Sequence, residues 1–197
     1  GGNGTLLGGV PGVEPGKILV LGAGIVGSSA IRVALGMGAE VTVMDRSTLR
    51  LAELDEQYLG RLRTVYSTSE AIEQYAKEAD LIIGAVLVPG ASTPKLIMRN
   101  MLQRLKPGAV IVDVAIDQGG CIETARPTTH AQPTYTIEGI IHYCVANMPG
   151  AVARTATKAL TNATLPYILR LASGDPEATL VNDMHFARGL NVHDGRI

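Results

Sequence analysis

Two spacings of apolar residues alternate along this chain: short continuous runs, and segments in which they recur every three or four positions. Lys17-Ile-Leu-Val-Leu21 is an apolar run ending in glycines and predicts a buried strand. Residues 24–37, rich in Ala, Val and Ile and stopped by Gly38, predict a helix. Glu40-Val-Thr-Val-Met44 predicts a second strand with Asp45 at its carboxyl end, and Ser47 is placed to cap a helix running to about Tyr58. The pattern continues with a short strand at 62–65, a helix at 69–79 and a strand core at 81–83. A helix is expected over 94–105, with Pro94 near its first turn and Pro107-Gly108 beyond its end. A fifth strand is expected at 109–113, and a sixth at 140–145 after a long loop. Residues 151–172 read as a helix interrupted or kinked near Pro166, and 175–187 as a last helix before a polar tail. Strands alternating with helices at this spacing predict an α/β fold with a doubly wound parallel sheet and flanking helices. No internal repeat is visible.

The glycine-rich opening changes the domain picture. Residues 1–15 contain Pro11 and Pro15 and read as a linker from a preceding domain, which predicts that the chain was cut from a longer one. Residues 16–172 form the expected main domain, and 173–197 a separate C-terminal segment.

Composition narrows the class further. The chain is 46% hydrophobic but has six Tyr, one Phe and no Trp, so its core must be filled by Val, Ile, Leu and Ala, which suits a sheet buried on both faces. A net charge of −1 supplies no electrostatic argument for nucleic acid or an anionic membrane. No apolar run reaches the roughly 18 residues that span a bilayer, and no basic-then-apolar export signal is seen, so a cytoplasmic setting is expected. Cys121 and Cys144 lack a CxxC spacing and read as small buried residues. The four histidines form no ligand cluster, so no metal site is expected.

The chemistry concentrates at Gly22-Ala23-Gly24-Ile25-Val26-Gly27, a GxGxxG sequence that follows a strand, opens a helix and precedes an acid, Asp45, at the next strand's end. In a Rossmann sheet Gly22 permits the tight turn, Gly24 lets a pyrophosphate approach the backbone amides, and Gly27 lets helix and strand pack closely. The helix N-terminus offers unpaired N–H groups and partial positive charge. Asp45 can accept both adenosine ribose hydroxyls and repels a 2′-phosphate, so NAD is expected over NADP. Arg46 is the one adjacent residue that could accommodate that phosphate.

Two further loops lie where a ligand should rest in such a sheet. Residues 85–90 put apolar side chains, including Val86 and Leu87, against a ring, with Pro89-Gly90 turning the chain away. Residues 115–120 place Asp117 immediately before a Gln-Gly-Gly stretch, and Val114, just ahead of them, is expected among the cofactor contacts. An acid there can reach a bound ring and assist proton transfer, or simply bind its own backbone in a turn. Asn147 and Met148, after the sixth strand, can border the same crevice.

Several segments together resemble bacterial alanine dehydrogenase. They include Leu7-Gly-Gly-Val-Pro-Gly12, Ile83-Gly-Ala-Val-Leu-Val-Pro-Gly-Ala91, Val112-Asp-Val-Ala-Ile-Asp-Gln-Gly-Gly-Cys121, Arg126-Pro-Thr-Thr129 and His142-Tyr-Cys-Val-Ala-Asn-Met-Pro149. The likeness is collinear from about Thr5 to Ala172. It implies reversible oxidative deamination of L-alanine to pyruvate and ammonium with hydride transfer to NAD. It gives a catalytic role to Asp117 and cofactor contacts to Asp45, Arg50, Ser67, Val86, Asn147 and Met148. It also implies a homo-oligomer, a hexamer in that family, and packing of the tail from about Asp175 onto a substrate domain.

In that family an arginine, a lysine and a histidine from the preceding domain hold and protonate the substrate. No segment here matches them, and His130, His142, His185 and His193 read as structural or solvent-facing. The chain alone is therefore expected to bind NAD(H) and to turn alanine over slowly or not at all. The alternatives are a transhydrogenase-like protein or a non-catalytic NAD-sensing module.

Overall fold

The computed structural model describes residues 2–87 and 93–196. They form two compact units, Gly1–Met148 and Pro149–Ile197. The first is built on β1 (Lys17–Leu21), α1 (Ile25–Gly36), β2 (Glu40–Asp45), α2 (Thr48–Tyr58), β3 (Leu62–Tyr66), α3 (Ser69–Ala76), β4 (Leu81–Gly84), β5 (Val110–Asp113), β6 (Thr134–Ile137) and β7 (Ile140–Tyr143). The seven strands make one sheet in the order β3-β2-β1-β4-β5-β7-β6. All neighbours run parallel except β6, which pairs antiparallel with β7. The order reverses beside β1, where β2 lies on one side and β4 on the other. That is the switch point at which such sheets leave a crevice beyond their carboxyl ends.

The central strands are mostly apolar because both faces are covered. Along β1, Ile18 and Val20 pack with Ile31, Leu35, Val41, Val43 and Leu54, while Leu19 and Leu21 pack with Ile72, Ile82, Leu102 and Ile111. The two-residue period thus feeds two cores at once. Fully burying each such side chain contributes on the order of 1.5–3 kcal/mol. Ser47 caps α2 by accepting the Arg50 N–H, and Thr68 caps α3 by accepting that of Ala71.

Three expectations change. The helix expected over 94–105 is only a short 3-10 helix, Arg99–Arg104. The residues before it are drawn out beside another segment: the Leu96 N–H donates to the Cys121 carbonyl at 2.7 Å, and Ile97 bridges Ile122. The sixth strand is one arm of a hairpin, since Glu138 and Gly139, at φ 51° and 79°, form a two-residue turn that folds β6 onto β7. The last expected helix is two short ones, α5 (Pro176–Val181) and α6 (Met184–Ala187). They divide at Asp183, whose carboxylate accepts the His185 and Phe186 N–H groups and so starts a new helix. By contrast, α4 (Ala153–Ala172) runs through Pro166 as one element.

The opening segment is folded onto the first unit. Leu7 packs on the β1–β2 core, the Gly16 N–H donates to the Leu7 carbonyl at 3.0 Å, and Val10 pairs with Val13 across a turn. In the second unit, Tyr167 stacks on Phe186 and Arg170 pairs with Asp183 at 2.8 Å. Among the described residues, no helix is long and apolar enough to cross a membrane.

Asp80 organises the amino edge of the sheet. Its carboxylate accepts the Lys17 N–H at 2.8 Å, the Asn3 side-chain amide at 2.7 Å and the Lys106 ammonium at 2.9 Å. Burial pushes this carboxyl upward, but the Lys106 ammonium, the Lys17 amide and Asn3 outweigh it and hold it below its usual value. A lowered folded value stabilises the fold at pH above the unfolded pKa, and that stabilisation is lost as pH falls through the folded one. Wild type is therefore expected to melt above Asp80→Asn at about pH 7, with the gap closing below about pH 3. Thermal melts of the pair at both pH values test this, and an equal gap at both would refute it.

Candidate functional site

The site is assembled around the turn from β1 into α1. Gly22 sits at φ +100°, and a Cβ there would stand 2.7 Å from the Ala85 carbonyl oxygen. Only glycine accepts both the conformation and the approach. One turn into α1, a Cβ on Gly27 would lie 1.9 Å from the Gly22 carbonyl oxygen, so helix and turn touch backbone to backbone. Gly24, the first residue before α1, faces open space. No side chain caps this helix and no acid lies in its first turn. Its leading N–H groups and partial positive charge are thus directed at whatever occupies that space.

Asp45 closes the turn from the end of β2. One carboxylate oxygen accepts the Ala23 N–H and the other the Ser47 N–H, both at 2.8 Å. An ionised carboxylate has roughly four lone-pair sites, so two acceptor positions remain for a ligand. Arg50, one turn along α2, secures the outer side of the same turn. Its Nε donates to the Ala23 carbonyl at 3.0 Å, one Nη to Ser28 Oγ at 2.8 Å, and the other pairs with Glu53 at 2.6 Å.

These elements border a cleft of about 580 Å³ at the sheet's carboxyl edge. Among the residues expected at the site, Gly22, Gly24, Ile25, Val26, Asp45, Ser67, Val86 and Leu87 line it. Ala85, the first residue of the expected apolar loop, lines it too, and Met44, Pro94 and Leu96 do so without having been expected. Pro94 and Leu96 escape a sequence reading that assigns them to a helix. Arg46, the residue beside Asp45, also lines the cleft. Ala23 and Gly27 are buried behind the lining, and Arg50 buttresses it from outside. Val88, Pro89 and Gly90 of the expected apolar loop lie outside the described residues.

A second group gathers after β5. The Val114 N–H donates to the Gly84 carbonyl at 2.9 Å, and Asp117 lies exposed in a 3-10 turn, Ile116–Gln118, pinned by buried Ile116. Beneath the turn, Asp113 is wholly buried and accepts N–H groups from Ala115 at 3.2 Å and Ile122 at 3.1 Å. Burial raises its carboxyl above the usual value despite those amides. Cys121 lies against it, and burial together with the Asp113 charge pushes the thiol up to about 12, so it stays protonated and is no nucleophile. Asn147, whose carbonyl meets His130 Nε2 at 2.6 Å, and Met148 follow β7. They do not line the β1–α1 cleft.

His142 is fully buried. Its Nδ1 lies 3.0 Å from the Ile140 carbonyl, and its Nε2 lies 2.8 Å from the Thr124 hydroxyl. Burial lowers its pKa, so the neutral ring donates to the carbonyl and accepts from the hydroxyl, a structural role.

The glycines divide into two kinds. Gly27→Ala forces two backbones apart and is expected to abolish cooperative folding or lower Tm sharply. Gly24→Ala adds a methyl in open space at φ −69° and is expected to leave Tm within a few degrees. Circular-dichroism melts compare them, and a Gly27→Ala protein that melts like wild type would contradict the packing described.

Comparison with known proteins agrees with this architecture. The family model described as alanine dehydrogenase/PNT, C-terminal domain, matches residues 1–197. An alanine dehydrogenase from Halomonas elongata is 63% identical over 197 residues, covering 100% of this chain and 53% of that protein. A solved L-alanine dehydrogenase superposes with a TM-score of 0.96 at 51% identity, covering 100% of this chain and 54% of that one. A transhydrogenase from Sinorhizobium meliloti is more distant, with a TM-score of 0.69 and 28% identity over 79% of this chain and 44% of that one. The chain spans about half the length of the curated relatives it matches. With the glycine turn, the acid beyond it and the reversed strand order already placed, these matches establish that the chain belongs to the family of alanine dehydrogenase/PNT C-terminal domains.

Proposed function

We propose that this chain binds NAD(H) as the cofactor half of an alanine dehydrogenase, which interconverts L-alanine, NAD and water with pyruvate, ammonium, NADH and a proton. The observation that carries the reading is Asp45, held by the Ala23 amide beside an uncapped helix N-terminus over an open cleft. The fit is physical: Gly24 leaves room for a pyrophosphate, the α1 amides face it, and Asp45 keeps acceptors for the ribose hydroxyls. Its charge disfavours a 2′-phosphate and so favours NAD over NADP. The bound cofactor supplies the hydride acceptor; the residues here position it.

In this reading Ser67, Val86 and Leu87 flank the dinucleotide on the β2–β4 side. Val114, Asp117, Asn147 and Met148 belong to its nicotinamide end, where Asp117 orients the substrate or holds a proton. The residues that grip the substrate carboxylate belong to the other half of the enzyme, on which the C-terminal segment packs. A cytoplasmic homo-oligomer completes the reading. The transhydrogenase likeness supports a second possibility, hydride exchange between nicotinamides, which shares the cleft and differs in what meets Asp117.

NADH fluorescence titration tests the reading. Wild type is expected to bind, while Asp45→Ala and Gly24→Ala each weaken binding about 10- to 100-fold, the loss of charge-assisted hydrogen bonds or phosphate contact. Joined to the remaining half of a relative, the chain is expected to reduce NAD with alanine, and Asp117→Ala to stop turnover. Absence of NADH binding by wild type would sink the proposal. Binding without turnover in the joined protein would favour an NAD-sensing module.

A further inference from the structure

Lys95 stands between two cleft residues, Pro94 and Leu96, on a stretch outside any helix. Its ammonium points the other way, into the loop that carries Asp117. There Nζ donates to the carbonyls of Gly119, Gly120 at 2.8 Å and Ile122 at 3.4 Å. Three carbonyls converge on a group with three N–H bonds, so every donor is used. The loop's amides are held from the opposite side, because Asp113 takes the N–H groups of Ala115 and Ile122. Gly119 and Gly120, at φ +88° and +69°, let the chain turn between the two, and a Cβ on Gly120 would stand 2.5 Å from Asp113 Oδ2. The Leu96 N–H, donating to the Cys121 carbonyl at 2.7 Å, fastens the same two segments.

The cleft wall at 94–96 and the loop at 115–122 are therefore one mechanical piece, with Asp117 at its exposed tip. We propose that Lys95 is a positioning residue that locks the Asp117 loop to the cleft wall and so sets where Asp117 stands relative to the nicotinamide end of the dinucleotide. This rests on the NAD(H) reading above. Removing the ammonium leaves three carbonyls without their shared donor. The loop then loosens, while the glycine turn and Asp45, which Lys95 does not touch, keep their geometry.

The test compares wild type, Lys95→Met and Lys95→Arg in the 197-residue chain, using NADH and ADP-ribose as probes. ADP-ribose lacks the nicotinamide and reports only on the Gly22–Asp45 side. Lys95→Met is expected to weaken NADH about tenfold or more and to leave ADP-ribose within about twofold. Lys95→Arg, which keeps charge and donors, recovers part of the loss. Hydrogen exchange supplies a readout independent of ligand. Amides 116–120 are expected to exchange faster in Lys95→Met, with those of α1 unchanged. Equal weakening of both ligands, or faster exchange throughout the fold, would assign Lys95 to general stability and overturn the proposal. Unchanged exchange in the loop would overturn it too. Should wild type bind neither probe, the NAD(H) reading fails, and the exchange comparison alone decides whether Lys95 holds the loop.

Discussion

The contact between the Gly27 position of α1 and the carbonyl of Gly22 is the constraint around which the first unit is arranged. A helix can start this close to the strand before it only if neither backbone carries a side chain at the contact. That closeness aims the helix N-terminus across the end of β1, and Asp45 then reaches the Ala23 amide from β2. Arg50 binds the carbonyl of that same residue from α2. The turn is fixed through both its polar groups, and Gly24 on its cleft side meets no neighbouring atom.

Two aspartates secure the ends of the sheet and titrate in opposite directions. Asp80, at the amino edge, has a lysine ammonium 2.9 Å away, which holds its carboxyl low. Asp113, at the carboxyl edge, is deeper and relies on backbone amides, with the Lys95 charge only a minor influence, so burial prevails and raises it. One ties down the strand starts and the opening segment; the other ties the Asp117 loop to the end of β5. Packing alone would not fix a glycine-rich loop, since Gly119 and Gly120 bury no side chain. Hydrogen bonds to ionic groups supply what packing lacks.

The second unit has a different physical character. Among its described residues none is buried, and Leu160, Ile168 and Leu169 of α4 are 66%, 56% and 57% exposed. Its internal order comes from ring stacking, the Arg170–Asp183 pair and capping aspartates. These local interactions shape short helices without the burial that stabilises the β-sheet unit.

Much of the fold was legible because local and global preferences agree in it. The runs 17–21, 40–44 and 109–113 are apolar because the sheet is covered on both sides, and no helix of that length competes. The glycines of the β1–α1 turn and Asp45 were legible because their spacing reflects a backbone contact between neighbours in sequence. The β6–β7 hairpin carried a readable signal, Glu138-Gly139 between two short β-rich runs, which the glycine-poor first position of the turn obscured. Residues 94–98 carried none: Pro94 suits the first turn of a helix, and only pairing with 121–123 draws the segment out. Likewise nothing near Lys95 in the chain says that its ammonium meets carbonyls 24, 25 and 27 residues away. Sequence by itself determined the alternation of elements, the glycine turn and the acid opposite it, all consequences of short-range sterics and periodicity. Tertiary structure decided which way the 94–98 segment runs, what Arg50 and Lys95 hold, and how the Asp117 loop is fixed, because each depends on hydrogen-bond partners supplied by segments distant in the chain.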